Sequence, residues 1–359
     1  MSKRAAALEL VKKHGRTTTS FRALGDDLHL WFDEDACVAY TQSGSSWVVA
    51  GSPIAPPHRE IEVMERFAAE ATRRRKRVRF FAIERDVSAE SSFSVLHVGE
   101  QPVWDPAHWP ACVGKRVRGQ IRRALAKGDV VLRQASAQEL SEHSHPTRRG
   151  IDTIIDAWHD SRRMAPMGFL VRIDPFHLVE ERRVFLAEHR DTIVGVLVAV
   201  PIYARQGWFL DQMLRHPTAP NGTVDLMFDY AMRSFAETKS PYVTFGLSPL
   251  SGTPSRSLQI IRDRTRFLYN FTGLHTFKAK LGPSAWHPIY LAYPKHEQGV
   301  RAVIDTLGAF TPNGFVRFAW DTLRRRGARL FSRPRLQTAP PLGAAPDEPG
   351  RPEAAEAEG

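Results

Sequence analysis

The sequence predicts an α/β protein, because two stretches each place an amphipathic helix next to apolar strands. The first stretch holds a hairpin at residues 37–50, a helix at residues 61–71 and a strand at residues 78–83. In the second stretch, a helix at residues 224–235 is followed by a strand at residues 242–245. A helix that links two strands is the usual connection of a parallel pair. We therefore expect mixed central sheets flanked by helices.

The second stretch also carries the candidate active site. An apolar run at residues 208–210 ends at Asp211, and a basic, Pro-rich turn follows from Arg215 to Gly222. In a parallel crossover, such a turn and the helix N-terminus lie at the carboxyl end of the first strand. Backbone N–H groups and the helix dipole can hold an anion there. We expect the chemistry at this point, flanked by Asp211 and Arg215.

Length and composition bound the organisation of the chain. Its 359 residues and 42% hydrophobic content are enough for two or three domains with cores of their own. We expect an N-terminal domain at residues 1–135 and a C-terminal domain with the active site at residues 136–335. Residues 336–359, rich in Pro, Ala, Gly and Glu, are expected to form a disordered acidic tail. The net charge of +11 favours an anionic partner, and a passive basic surface is the alternative.

A basic helix is predicted at residues 115–127. It holds six cations and no acid around an apolar face that includes Val117 and Ile121. Like charges on neighbouring turns repel each other, so bound phosphate explains this stretch as well as a solvated helix surface does. The candidate phosphate ligands are Lys115, Arg118, Arg122 and Arg123.

Several classes of function lack support in the sequence. No dinucleotide-binding, P-loop or HExxH zinc motif occurs, and residues 246–250 depart from the GxSxG pattern of hydrolases at the last position. Cys37 and Cys112 belong to no metal-binding pattern, so we expect two buried thiols and no metal. The longest charge-free apolar run, residues 192–204, is shorter than the roughly 20 residues that span a bilayer. We expect the protein to lie in the cytoplasm. Any contact with the membrane would be peripheral, at its inner face, without insertion into the bilayer.

Four short segments carry a resemblance to a known family. They are residues 211–215, 219–222 (Ala-Pro-Asn-Gly), 246–252 (Gly-Leu-Ser-Pro-Leu-Ser-Gly) and 277–280 (Phe-Lys-Ala-Lys). The basic helix and a Met-Gly-Phe loop at residues 167–169 accompany them. Together they resemble the catalytic domain of phosphatidylglycerol lysyltransferases of the MprF type, over most of the chain up to Tyr293.

The resemblance implies a fold and a reaction. The fold would be two tandem GNAT-like acyltransferase domains, related to FemX-type peptidyltransferases. The reaction would move an amino acid from aminoacyl-tRNA to a lipid hydroxyl, with aminoacyl-tRNA as donor substrate and no cofactor. The expected partners are aminoacyl-tRNA and an anionic lipid or membrane surface, and neither DNA nor metal. In better-known members the acid is followed by Leu-Met-Arg, whereas Arg215 stands one place later here, which on a strand would turn it to the other face.

The same resemblance suggests roles for individual residues. Asp211 would act as general base or bind the α-amino group of the donor, unless it merely pairs with Arg215. Lys278 and Lys280, on one side of an extended segment, would stabilise an oxyanion or hold the 3′ phosphate of tRNA, unless they lie on a solvated edge strand. Arg215 completes the catalytic set. The remaining candidates for substrate binding are Asn221, Gly222, Asp225, Ser248, Ser251 and Gly252. Asn221 and Gly222 could instead serve only to form the turn. Asp225 could instead serve only to stabilise the helix through its dipole.

Two other functions stay open from the sequence. An acyl-CoA-dependent acetyltransferase of the same fold would need an Arg/Gln-x-x-Gly-x-Gly/Ala loop for pyrophosphate, and residues 219–222 stand in that place instead. A non-catalytic protein that binds RNA or anionic membranes would keep the basic helix but would need neither Asp211 nor Lys278. Turnover by variants at these two positions separates the enzyme from the binding protein.

Overall fold

The computed structural model describes residues 2–161, 168–252 and 271–311, and within these ranges the chain is a mixed α/β protein. Its strands form one large sheet. They are β1 His29–Asp33, β2 Ala36–Ser43, β3 Ser46–Ala50, β4 Arg77–Ile83, β5 Phe93–Trp104, β6 Val130–Ala135, β7 Arg183–His189, β8 Thr192–Ile202, β9 Gly207–Arg215, β10 Val243–Thr244, β11 Ser248–Pro249 and β12 Ala285–Pro294. The order in the sheet is β1-β2-β3-β4-β12-β5-β10-β9-β8-β7-β6, and β11 pairs with β5.

Helices cover both faces of this sheet. They are α1 Lys3–His14, α2 Glu60–Arg73, α3 Trp109–Cys112, α4 Lys115–Gly128, α5 Ala137–Ser141, α6 Pro146–Ser161, α7 Thr223–Glu237, α8 Phe271–Lys280 and α9 Gly299–Ala309. The predicted α/β class is therefore confirmed.

Two parallel strand pairs interrupt an otherwise antiparallel sheet. β3 lies parallel to β4, and β9 lies parallel to β10. Helix α2 connects the first pair and α7 connects the second. Both predicted crossover helices are present because their apolar residues recur at helical spacing: Val63, Met64 and Phe67 of α2 are fully buried.

The half of the sheet that holds β6 to β10 has a separate core on each face. On one face, Phe228 of α7 packs edge-on against Trp104 and Trp109. On the other face, Ile151 and Ile154 of α6 pack against β8. These faces are called the α7 face and the α6 face below.

The last described strand and helix return to the first half of the sheet. β12 inserts between β4 and β5. Arg79 of β4 is fully buried and pairs with Asp305 of α9 at 2.9 Å and with Glu297. Removal of one partner from a buried ion pair costs about 3–5 kcal/mol, so this contact holds α9 against β4. The division of the chain at residue 135 into two domains stays a prediction.

Three local expectations were wrong. β9 continues to Arg215 rather than ending at Asp211. Residues 277–280 lie in the last turn of α8 rather than in an extended segment, because Leu274, Phe277 and Leu281 recur at helical spacing. Cys112 is exposed, whereas Cys37 is buried as expected. The tail expected at residues 336–359 lies outside the described residues.

Candidate active site

Asp211 lies in a β-bulge of β9. Along the pair of β8 and β9, Val198 is opposite Gln212 and Ala199 is opposite Leu210, which leaves Asp211 as an extra residue. Leu210 packs in the core of the α7 face, whereas Val198 packs in the core of the α6 face. Because side chains alternate along a strand, the bulge places both Asp211 and Gln212 on the α6 face. Bulges of this kind often re-aim a side chain beside an active site.

The sheet opens beside Asp211. β10 pairs with β9 only at Trp208 and Phe209. The chain then turns away into β11, which pairs with β5 instead. Among the described strands, β9 therefore has no hydrogen-bonded neighbour on this side from Leu210 onward. Asp211 therefore lies beside a gap in the strand pairing, between β9 and residues 245–252.

The surroundings of Asp211 suit a general base. The side chain is half-buried, and burial raises the pKa of its carboxyl above the ordinary value, although the charges of Arg182 and Arg22 oppose that shift. The Gln212 side-chain amide donates a hydrogen bond to Asp211 Oδ2 at 3.2 Å. A carboxylate with a raised pKa accepts a proton more readily near neutral pH, so the site can remove a proton from a hydroxyl.

Arg215 lies on the other face of the sheet. It is exposed at the end of β9, and its cross-strand partner is Gly195. A Cβ at Gly195 would lie 2.9 Å from Met227 Sδ of α7, so this pair of residues is on the α7 face. The alternative that Asp211 pairs with Arg215 is therefore wrong. The bulge separates the two side chains, because it leaves Asp211 and Gln212 on the α6 face and Arg215 on the α7 face.

The Ala-Pro-Asn-Gly turn docks against the basic helix. Gly222 caps α7 with a φ of +96°, and a Cβ there would lie 2.2 Å from the backbone oxygen of Gln120 in α4. Pro220 packs in the same way on Gly128 at the end of α4. Only glycine tolerates both the positive φ and this close approach. Gly222 therefore serves turn geometry, and Asn221 is left exposed beside it.

The basic helix α4 presents its cations to solvent. Val117 and Ala124 are buried against the core of the α7 face. The four candidate phosphate ligands are exposed, and within the described ranges none of them pairs with an acid: Lys115, Arg118, Arg122 and Arg123. Uncompensated cations at this density attract a polyanion.

Lys278 is buried and holds residues 245–247 in place beside the gap in strand pairing. Its Nζ donates hydrogen bonds to the backbone oxygens of Phe245, Gly246 and Leu247 at 2.8, 2.9 and 3.0 Å. Burial lowers the pKa of Lys278 to about 7. Three backbone acceptors leave neither the ammonium nor the neutral amine a free proton for a substrate, so this side chain positions residues 245–247.

Lys280 and Asp225, both predicted to bind substrate, contact each other instead. Lys280 Nζ lies 2.7 Å from Asp225 Oδ1. Asp225 is buried in the first turn of α7, where the helix dipole also stabilises its charge. The pair ties the end of α8 to the start of α7.

The serine residues lie in a segment, residues 248–252, that is held against β5. Ser251 Oγ donates to the backbone oxygen of Ser248 at 2.7 Å and accepts a hydrogen bond from Glu100 N at 3.2 Å. Gly252 follows with a φ of +75°. The Oγ of Ser248 is buried and, within the described part of the chain, has no hydrogen-bond partner.

No local sequence pattern singles out Arg182 and Arg22, yet both belong to the site. The positive charge of each lowers the pKa of Asp211, against the effect of burial. Arg22 also donates through Nε and Nη2 to the backbone oxygen of Phe169, at 3.1 and 2.8 Å. Arg182 stands in the run Glu-Glu-Arg-Arg at residues 180–183, which is typical of a solvated surface. Only the pairing of distant strands shows its place beside Asp211.

Two other kinds of feature are absent from the described ranges. No group of three His, Cys, Asp or Glu side chains is placed to hold a metal ion there. None of the described helices combines the length and the apolar character needed to cross a membrane.

Comparisons with known proteins agree with this architecture. The family described as "Phosphatidylglycerol lysyltransferase, C-terminal" matches residues 8–293. A phosphatidylglycerol lysyltransferase from Bacillus subtilis (strain 168) is 26% identical over 307 residues, which cover 80% of this chain and 34% of the relative. This chain therefore spans about a third of the length of that relative.

Solved structures share the fold. The C-terminal domain of a candidate lysylphosphatidylglycerol synthetase from Agrobacterium fabrum matches with a TM-score of 0.72 at 20% identity, over 85% of this chain and 95% of the other. L-PGS from Bacillus licheniformis matches with a TM-score of 0.71 at 22% identity, over the same shares of the two chains. FemX matches with a TM-score of 0.56 at 10% identity, over 85% of this chain and 99% of FemX.

The chain belongs to the family of phosphatidylglycerol lysyltransferase C-terminal domains. The resemblance noted from the four short segments is confirmed, as is the similarity in fold to FemX.

Proposed function

We propose that this protein transfers the aminoacyl group of an aminoacyl-tRNA to a hydroxyl of an anionic lipid of the phosphatidylglycerol type. The observation that carries the proposal is the half-buried Asp211, which a bulge turns toward the opening of the sheet. Membership of the family supports the choice of donor and acceptor. Since charged tRNA is cytoplasmic, the reaction would take place at the inner face of the membrane.

The α7 face supplies a surface for the donor. Arg215 is exposed there, and α4 carries its uncompensated cations beside the turn at residues 219–222. Such a surface can hold the phosphates of a tRNA acceptor stem, mainly by charge and with the release of counterions. The aminoacyl end would then enter at the gap in strand pairing between β9 and residues 245–252 and meet Asp211 on the α6 face.

The chemistry requires one proton to move through the site. The Asp211 carboxylate takes the proton of the acceptor hydroxyl while the hydroxyl oxygen attacks the ester carbonyl carbon. The tetrahedral intermediate then collapses, the bond from this carbon to the ribose oxygen breaks, and the ribose oxygen receives the proton from Asp211. Lys278 takes no part in these steps and keeps residues 245–247 in place.

The rival acetyltransferase function fits the structure less well. An acyl-CoA pyrophosphate would occupy the N-terminus of α7, where backbone N–H groups point outward. Here α4 packs against that N-terminus so closely that Gly222 cannot carry a Cβ. We therefore retain the acetyltransferase only as an outcome that the experiment must detect.

A reconstituted transfer assay tests the proposal. Purified protein is mixed with vesicles that contain phosphatidylglycerol and with a pool of tRNA charged with radiolabelled amino acids, and the lipid extract is counted. Labelled lipid that disappears after ribonuclease treatment supports the proposal. Label from acetyl-CoA that survives ribonuclease would establish the acetyltransferase instead. Bound tRNA without transfer to any acceptor would establish a binding protein.

A further inference from the structure

Arg182 and Asp211 lie on opposite sides of β8. Arg183 of β7 is opposite Ala199 of β8, and Ala199 is opposite Leu210 of β9. Arg182 therefore lies two strands from β9, level with Phe209 and two residues short of Asp211, and about 10 Å separates the axes of β7 and β9. Arg183 stacks on Trp208 on the α7 face, so alternation turns Arg182 toward the α6 face, where Asp211 lies.

The guanidinium group of Arg182 has donors without a partner. Its Nε and Nη1 are buried and have no hydrogen-bond partner among the described residues. Its plane lies over the ring of Phe21, at 5.2 Å from the ring centroid, so the group is fixed rather than free in solvent. Buried polar groups are almost always paired in native proteins. The unpaired N–H groups of this buried cation can therefore donate hydrogen bonds to an oxygen atom of a ligand.

Neighbouring charges restrict what this ligand can be. Asp211 and Asp174 both act on Arg182 with negative charge. Arg22, the other nearby cation, is already engaged with Asp27 at 2.7 Å. Two carboxylates repel a permanent anion but not a neutral carbonyl oxygen. A carbonyl that gains negative charge only during the reaction, while Asp211 gains a proton, fits this environment.

We propose that Arg182 is a catalytic residue that binds the carbonyl oxygen of the donor ester and stabilises the oxyanion of the tetrahedral intermediate. The inference rests on the proposed function. As the acceptor oxygen attacks the carbonyl carbon, the electron pair of the C=O double bond moves to the oxygen beside Arg182, and the hydroxyl proton moves to Asp211. When the bond to the ribose oxygen breaks, the double bond forms again and Arg182 keeps all its protons. Lys278 cannot fill this role because its protons are already donated to three backbone carbonyl groups.

The kinetic test separates this role from a structural one. Arg182→Met should lower kcat of transfer by about 100-fold or more, while the Kd for charged tRNA changes by less than about twofold. Arg182→Lys, which keeps the charge, should recover part of kcat. The matched control is Arg183→Met, which removes the adjacent cation on the α7 face and should leave kcat unchanged. An unchanged kcat in Arg182→Met, or an equal loss in Arg183→Met, would overturn the proposal.

A binding test does not depend on turnover. In an Asp211→Asn protein, which lacks one opposing carboxylate, the tetrahedral anion methylphosphonate should bind and raise the melting temperature. The double variant Asp211→Asn with Arg182→Met should lose this shift, whereas Asp211→Asn with Arg183→Met should keep it. Absence of the shift, or its persistence without Arg182, contradicts the inference even if aminoacyl transfer is established. If the melting temperature rises in an Arg182-dependent way but the protein shows no transfer activity, the oxyanion site stands and the proposed function is wrong.

Discussion

Lys278 Nζ donates a hydrogen bond of 2.9 Å to the backbone oxygen of Gly246. Gly246 has a φ of +63°, and a Cβ at this position would lie 2.6 Å from the ring of Phe209. Phe209 is the last residue of β9 that pairs with β10. The contact between the lysine and the glycine therefore fixes the point at which the sheet opens, two residues before Asp211.

The buried amine of Lys278 should make stability depend on pH. Its native pKa of about 7 lies below the ordinary value of 10.5, so the unfolded chain binds more protons here between these pH values. The free energy of unfolding should therefore rise with pH in this window. Relative to Lys278→Met, we expect the wild type to gain up to about 1.4 kcal/mol per pH unit.

Urea denaturation of both proteins from about pH 7 to about pH 9 measures this difference. Lys280→Met, which removes the neighbouring cation at the end of the same helix, is the control for a change of net charge. A difference between wild type and Lys278→Met that does not vary with pH would show that the amine keeps its ordinary pKa.

The cations of α4 should control the salt dependence of tRNA binding. Arg122→Ala with Arg123→Ala should weaken binding of charged tRNA. It should also reduce the slope of log Kd against log salt by about 0.7–0.9 for each phosphate that the variant no longer neutralises. Fluorescence anisotropy in a series of KCl concentrations gives both quantities.

A second arginine pair provides the matched control for α4. Arg73 and Arg74 end α2 and both pair with Glu70. Their replacement by alanine removes the same charge from the protein and should leave the slope unchanged. Equal effects of the two double variants would mean that only net charge matters and that α4 is not the tRNA site.

Gly222 should tolerate no side chain. In Gly222→Ala, the positive φ and the backbone oxygen of Gln120 at 2.2 Å both oppose the new Cβ. We expect a loss of about 2–4 kcal/mol in the free energy of unfolding and weaker tRNA binding, because α4 and α7 must move apart. Chemical denaturation and anisotropy measure the two effects.

The control for this substitution lies on α4 itself. Gly119 has nothing within 4 Å of the position of a Cβ, so Gly119→Ala should stabilise the helix by about 0.5–1 kcal/mol. If Gly222→Ala were as stable as Gly119→Ala, the close packing of α4 on the N-terminus of α7 would be wrong.

Local patterns predicted the elements but not the contacts of the site. The α7 crossover and the basic helix α4 follow from helical spacing within a dozen residues. The position of Asp211 in a bulge depends on the register of β8 against β9, and its neighbour Arg182 comes from β7. Lys278 reaches carbonyl groups more than 30 residues earlier in the chain. Such long-range pairings leave no local signal, and the alternation of Lys278 and Lys280 was therefore mistaken for a strand.

The role of Asp211 tests the central claim most directly. Single-turnover transfer from purified charged tRNA to vesicles that contain phosphatidylglycerol should be compared between the wild type and Asp211→Asn. The account predicts that the rate falls by about 10²–10⁴-fold, because proton abstraction is lost, while the Kd for charged tRNA and the melting temperature are maintained. Transfer at the wild-type rate by Asp211→Asn would contradict it.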